Sequence, residues 1–161
     1  MTQPVSILFV CLGNICRSPT AQGVFAKQLE ELGLQDRIQL DSAGTGHWHV
    51  GKSPDPRATE AARQRGIDLT HQRARQVGLE DFYTFHYILA MDHANLTDLR
   101  AMAPPNAEAP VELLLSYARH ADTEEVPDPY YGGESGFARV LDLITDASEG
   151  LLADLRSRHG L

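Results

Sequence analysis

Cys11 and Arg17 lie six positions apart in the stretch VCLGNICRSPTA (residues 10–21), and they are the side chains here best suited to attack and to grip a phosphate. A run of strand formers, Val5 to Val10, leads into Cys11, and Ser18 and Pro19 open a helix. A strand, a tight loop and a helix N-terminus make an anion site, because loop amides and unpaired helix N–H groups converge on one spot. At the mouth of that spot, amide dipoles and a guanidinium favour thiolate over thiol at Cys11. Arg17 is suited to hold two phosphate oxygens at once and to stabilise the charge that develops in transit. A thiolate aimed at a cradled phosphate implies covalent phosphoryl transfer. A free cysteine taken alone is commonly a small core residue; the surrounding loop is what argues for a nucleophile.

Within the loop, Gly13 lets the amides turn inward without a Cβ clash, and Asn14 tolerates a left-handed backbone. Leu12 and Ile15 are candidates for the floor of a cleft. Ser18 has two open roles: capping the helix, or donating its hydroxyl to the thiolate.

The elements that must position these residues alternate. After the loop, Ala21, Val24, Phe25, Leu29 and Leu32 follow helical spacing, with Gly33 as the stop. A strand fits Ile38 to Leu40 and runs into a small polar loop, 41–46. A helix fits Pro56 to Arg65, closed by Gly66, while Thr70 to Val77 suits no regular element. His86 to Met91 reads as a strand, followed by a short helix carrying Leu96, Leu99 and Met102. Pro104-Pro105 ends that helix, and Val111 to Leu115 is a further strand. A loop at 127–133 precedes a long helix whose apolar face carries Phe137, Val140, Leu141, Ile144, Leu151, Leu152 and Leu155. This alternation predicts an α/β fold with a parallel sheet covered on both faces. Ligands of such folds sit beyond the carboxyl ends of the strands, where strand order reverses, and Cys11 lies at such an end.

A chain of 161 residues suits a single domain spanning 1–161. The net charge of −8 argues against broad nucleic-acid affinity, so an anion site must be made locally. No apolar run reaches a membrane span and the N-terminus has no signal pattern, which predicts a cytoplasmic protein without membrane attachment. Two cysteines form no disulfide framework, in keeping with a reducing compartment. His47-Trp48-His49 is a weak metal pattern, no zinc spacing occurs, and no G-K-[ST] follows the loop. No cofactor or metal is expected, and activity should survive a chelator.

In the wording CLGNICRS (residues 11–18), the chain resembles the low-molecular-weight protein tyrosine phosphatases. Distant segments extend the resemblance: DSAGT (41–45) with Trp48-His49, the stretch Arg73 to Gln76, Met91-Asp92 and DPYYGG (128–133). The resemblance implies a flavodoxin-like fold with a four-stranded parallel sheet. It also implies phosphotyrosine and aryl phosphate hydrolysis through a cysteinyl-phosphate, with Cys11 as nucleophile, Arg17 as phosphate clamp, and the loop from Leu12 to Cys16 with Ser18 binding phosphate. Asp128 matches the family's general acid and base, although an Asp before Pro in a loop is by itself ordinary turn chemistry. An ionised Cys11 working with a protonated Asp128 predicts a bell-shaped pH profile with an acid-side optimum.

The resemblance further gives Asn14 the task of bracing the loop and puts Ser42 and His71 in a hydrogen-bond network behind it. Asp92 matches a supporting position and equally suits a helix cap. Loop context and the match to the family's specificity positions make Trp48 and Tyr130 cleft walls, with Tyr131 beside them; Tyr130 and Tyr131 are also candidate phosphorylation sites. A reversible disulfide between Cys11 and Cys16 is the family's protection against peroxide. The implied partners are phosphotyrosine proteins, a tyrosine kinase among them; nothing in these residues fixes a pathway or an oligomeric state. Alternatives with the same fold are a thiol-coupled arsenate reductase, whose relay needs more cysteines than this chain has, and an arginine-phosphate phosphatase, whose loop carries threonine where this chain has Ile15. A phosphate-recognising module without turnover is the non-enzymatic alternative.

Overall fold

The computed structural model describes residues 3–130 and 133–161. Strand β1 (Val5–Cys11) is buried along its whole length, which explains its continuous apolar sequence. Its side chains alternate between two cores. Ile7, Phe9 and Cys11 join the larger one with Val24, Phe25 and Leu29 of α1 (Arg17–Leu32) and Val140, Ile144 and Leu151 of α5 (Glu134–His159). Leu8 and Val10 join the other, with Phe82 and with Leu96 and Leu99 of α4 (His93–Met102). Each such large side chain, fully buried, contributes about 1.5–3 kcal/mol relative to exposure.

Strands β2 (Ile38–Gly44), β3 (Tyr87–Ala90) and β4 (Val111–Leu113) complete a parallel sheet ordered β2-β1-β3-β4. The chain leaves β1 for a neighbour on one side and later returns to pair on its other side. Strand order therefore reverses at the carboxyl end of β1, where an open α/β sheet forms its crevice. That end is Cys11.

Several boundaries differ from the sequence reading. The polar stretch Asp41 to Gly44 continues β2 instead of forming a loop, because its backbone pairs in register with β1 as far as Cys11↔Gly44. α1 begins at Arg17, with Cys16 in the capping position and no side-chain cap, so Ser18 does not cap this helix. α2 spans Pro56–Arg63 and is capped by Asp55, whose carboxylate accepts from the Arg57 amide at 2.8 Å. A single turn, α3 (Asp81–Thr84), was not legible in the pattern, and β4 passes into a 3-10 turn at Leu114–Tyr117. No helix among the described residues is long and apolar enough to cross a membrane.

Gly150 lets α5 approach that 3-10 turn: a Cβ at this position would lie 1.9 Å from the Tyr117 carbonyl oxygen. Gly to Ala inside a helix ordinarily stabilises by about 0.5–1 kcal/mol. Here the sign reverses, because the obstructing atom is backbone. Gly150→Ala is expected to lower stability by about 1–3 kcal/mol, the scale of core overpacking, read from the urea midpoint; a raised midpoint would contradict this packing.

Candidate active site

The loop after β1 turns back over its own cysteine. The Asn14 amide donates to Cys11 Sγ at 3.3 Å, and Ser18 Oγ lies 3.0 Å from the same sulfur. Asn14 is the left-handed residue of the loop, with φ 57°, and its side chain fixes that conformation. Asn14 Oδ1 accepts from the Arg75 amide at 3.0 Å, which turns Nδ2 toward Ser18 Oγ at 2.8 Å and Ser42 Oγ at 2.9 Å. With Asn14 donating to it, the Ser18 hydroxyl keeps its own proton for the sulfur or for the Ala43 carbonyl at 3.4 Å. The first amides of α1 also lack partners within the helix. Gly13 takes an ordinary φ; its missing Cβ matters because that atom would lie 2.8 Å from His49 Cδ2.

The supporting network differs from expectation at one position. His71 is exposed and makes no hydrogen bond to Asn14 or Ser42. Gln72 is the buried neighbour that faces inward: its Oε1 lies 3.4 Å from Ser42 Oγ, and its Nε2 donates to the Pro19 carbonyl at 3.0 Å. The stretch 70–77, which matched no element, is a brace whose Arg75 carbonyl and Val77 amide both bond Gly44.

Arg17 is 3% exposed. Its NH1 donates to Asp92 Oδ2 at 2.6 Å and to the Val126 carbonyl at 3.0 Å, and NH2 lies 3.7 Å from Asp128 Oδ2. Burial disfavours the charge, but Cys11, Asp92 and Asp128 outweigh it and hold the guanidinium above its ordinary range. Asp92 has both of the roles considered for it, because its other oxygen caps α4 through the Asn95 amide at 2.7 Å. Its place just beyond the end of β3, the strand beside β1, was the available signal.

Burial, then Asp55, Cys11 and Asp128, push the Cys16 thiol up to about 12 against the opposing pull of Arg57. It therefore remains a thiol at neutral pH.

Cys11, Leu12, Ile15, Cys16 and Arg17 line a cleft of about 440 Å³, together with Trp48, His49, Asp128 and Tyr130. Trp48 is 62% exposed and stacks on His47, with centroids 5.6 Å apart, so His47 packs on a ring at the rim. His49 tilts against Tyr130 at 6.3 Å. Asp128 is half-exposed at the mouth, and its Oδ1 accepts from the Tyr130 amide at 3.0 Å, a local turn that aims the carboxylate. Tyr131 lies outside the described residues. A larger hollow, about 780 Å³, runs between α1 and residues 66–72 and contains neither cysteine nor Arg17; the reactive groups converge on the smaller cleft. Among the described residues no group of His, Cys, Asp and Glu is placed to hold a metal ion.

Comparison with known proteins places these features in company. Residues 6–160 match the family described as low molecular weight phosphotyrosine protein phosphatase. A protein of that description from Schizosaccharomyces pombe is 44% identical, covering 96% of this chain and 99% of its own. The crystal structure of a protein tyrosine phosphatase from Entamoeba histolytica superimposes with a TM-score of 0.92 at 40% identity, over 96% of this chain and 98% of that one. A Drosophila arginine phosphatase structure gives 0.86 at 36% identity, over 93% and 97% of the two chains.

Asp92→Asn keeps a helix-capping side chain while removing the charge that faces Arg17. It is expected to lower stability by about 1.5–3 kcal/mol, the scale of a hydrogen bond to a charged group, and to weaken inorganic phosphate binding by calorimetry. Unchanged stability and phosphate affinity would contradict the pairing.

Proposed function

The chain belongs to the low molecular weight phosphotyrosine protein phosphatase family, and from that premise we propose that it hydrolyses phosphotyrosine and aryl phosphates through a cysteinyl-phosphate. The single observation that carries this reading is the convergence of Cys11, Arg17 and Asp128 on one cleft at the carboxyl end of β1. Cys11 Sγ attacks phosphorus, the bond from phosphorus to the aryl oxygen breaks, and Asp128 gives its proton to the departing oxygen. A water then attacks the thiophosphate, Asp128 takes its proton, and inorganic phosphate leaves as Cys11 recovers the electron pair. Arg17 and the amides from Leu12 to Arg17 carry the charge on the transferring group. The Ser18 hydroxyl, 3.0 Å from the sulfur, supports Cys11 both as nucleophile and as leaving group.

Leu12, Ile15, Trp48 and Tyr130 form a slot for a flat phenyl ring, with Gly13, Asn14 and Cys16 in the loop beneath it. Ser42 braces the loop through Asn14. Phosphotyrosine proteins, a tyrosine kinase among them, are the substrates this slot suits, in a cytoplasmic setting. Cys16 shares the cleft with Cys11 and is the partner for a reversible disulfide under peroxide. Likeness to the Drosophila arginine phosphatase supports phosphoarginine as the second reading; the apolar Ile15 side chain at the cleft favours the aryl ester.

Phosphate release from phenyl phosphate in EDTA, with phosphotyrosine and phosphoarginine peptides in parallel, tests the assignment. Wild type is expected to turn over phosphotyrosine in preference, and Cys11→Ser to lose activity by at least ~10³-fold, in line with removal of an essential nucleophile. Preferential release from phosphoarginine would overturn the substrate class, and undiminished activity of Cys11→Ser would overturn the mechanism.

A further inference from the structure

Resting on that reading, we propose that Arg57 is a positioning residue for the general acid, tying the turn that carries Asp128 to the phosphate loop. Its contacts form one continuous chain. The Asp55 amide donates to the Ile15 carbonyl at 2.8 Å, which fixes the start of α2 against the phosphate loop. The Asp55 carboxylate, itself buried, then receives Arg57 Nε at 3.2 Å and NH2 at 3.1 Å. From the same NH2 a hydrogen bond runs to the Tyr130 carbonyl at 2.8 Å. The Tyr130 amide closes the chain by donating to Asp128 Oδ1 at 3.0 Å. Four links thus join the nucleophile's loop to the acid's carboxylate.

The guanidinium carbon also lies 5.4 Å from the Tyr130 ring centroid and 5.0 Å from that of Phe137 on α5. These are distances at which a cation is held by an aromatic face. The side chain is 46% exposed, so its aim depends on the two-point grip of Asp55 more than on confinement. Outside its own turn, the contact that Asp128 makes among the described residues is the loose 3.7 Å approach to Arg17. Its reach toward a leaving oxygen is therefore set by where residues 128–130 sit, and among the described residues Arg57 is the side chain that bonds the backbone of that turn from α2. Lysine keeps the charge but cannot reproduce the fork across Asp55 and Tyr130.

The test separates acid positioning from general damage by leaving-group dependence. Phenolate leaves slowly without a proton, whereas 2,4-dinitrophenolate leaves without one. For the full chain, kcat/KM is measured on phenyl phosphate and on 2,4-dinitrophenyl phosphate, for wild type, Arg57→Met, Arg57→Lys and Asp128→Asn. General acid catalysis is worth ~10²–10⁴-fold, so a displaced acid should cost Arg57→Met roughly 10-fold on phenyl phosphate and under about 2-fold on the dinitrophenyl ester. Arg57→Lys should recover part of the loss, and Arg57→Met should add nothing in the Asp128→Asn background. Arg57→Gln replaces Arg57→Met in every arm if circular dichroism shows that the latter is unfolded. Equal loss on both esters, additive loss with Asp128→Asn, or no loss at all overturns the proposal alone. A wild type that does not turn over, or an Asp128→Asn variant indifferent to the leaving group, overturns the underlying reading as well.

Discussion

The Arg17 guanidinium is taken almost wholly out of water, and the Asp92 carboxylate at 2.6 Å and the Val126 carbonyl at 3.0 Å are what make that burial tolerable. An uncompensated buried charge costs several kcal/mol, so the positions of three separate segments are coupled through one side chain. Asp92 sits at the end of β3 and starts α4, Val126 precedes the Asp128 turn, and Arg17 itself begins α1. Moving any of these relative to the others would strand the charge. The same constraint leaves NH2 directed toward the cleft side, where Asp128 approaches.

Around that fixed cation the loop is shaped by hydrogen bonds more than by packing. Asn14 supports a left-handed backbone because its amide reaches Ser18, Ser42 and the Arg75 N–H together. Satisfied networks of this kind hold one conformation, since each buried polar group loses its partner if another moves. The sheet supplies the platform: with β1 flanked on both sides, its carboxyl end is the reversal point where the loop meets an open crevice.

Much of this was legible in the sequence, for identifiable reasons. β1 announced itself through an unbroken apolar run and α5 through a long helical stripe, because burial on both faces or on one face leaves a periodic trace. The C-x5-R spacing marked the loop, because a helix starting at the arginine brings both residues to one end of a strand. Residues 41–44 hid as strand, since small polar side chains carry little strand propensity and only pairing with β1 makes them extended. Ser18 was equally suited to a cap, and only the position of Cys11 Sγ decides its hydroxyl's partner. Choosing between His71 and Gln72 depends on which of two adjacent side chains an irregular segment turns inward, and such a segment has no periodicity to reveal it. Arg57 acts on a residue 73 positions away, a separation at which single-sequence patterns carry no signal, whereas Asp92, although 75 positions from Arg17, stood out by its place just after a strand that flanks β1.

Covalent transfer to Cys11 is the claim on which the rest turns, and rapid acid quenching during turnover of an aryl phosphate, followed by peptide mapping by mass spectrometry, tests it most directly. A phosphoryl group on the peptide containing Cys11 is the expected result, accumulating further in Asp128→Asn, where hydrolysis of the intermediate lacks its base. Steady turnover with no phosphorylated cysteine in either protein, or with the label on another residue, would contradict it.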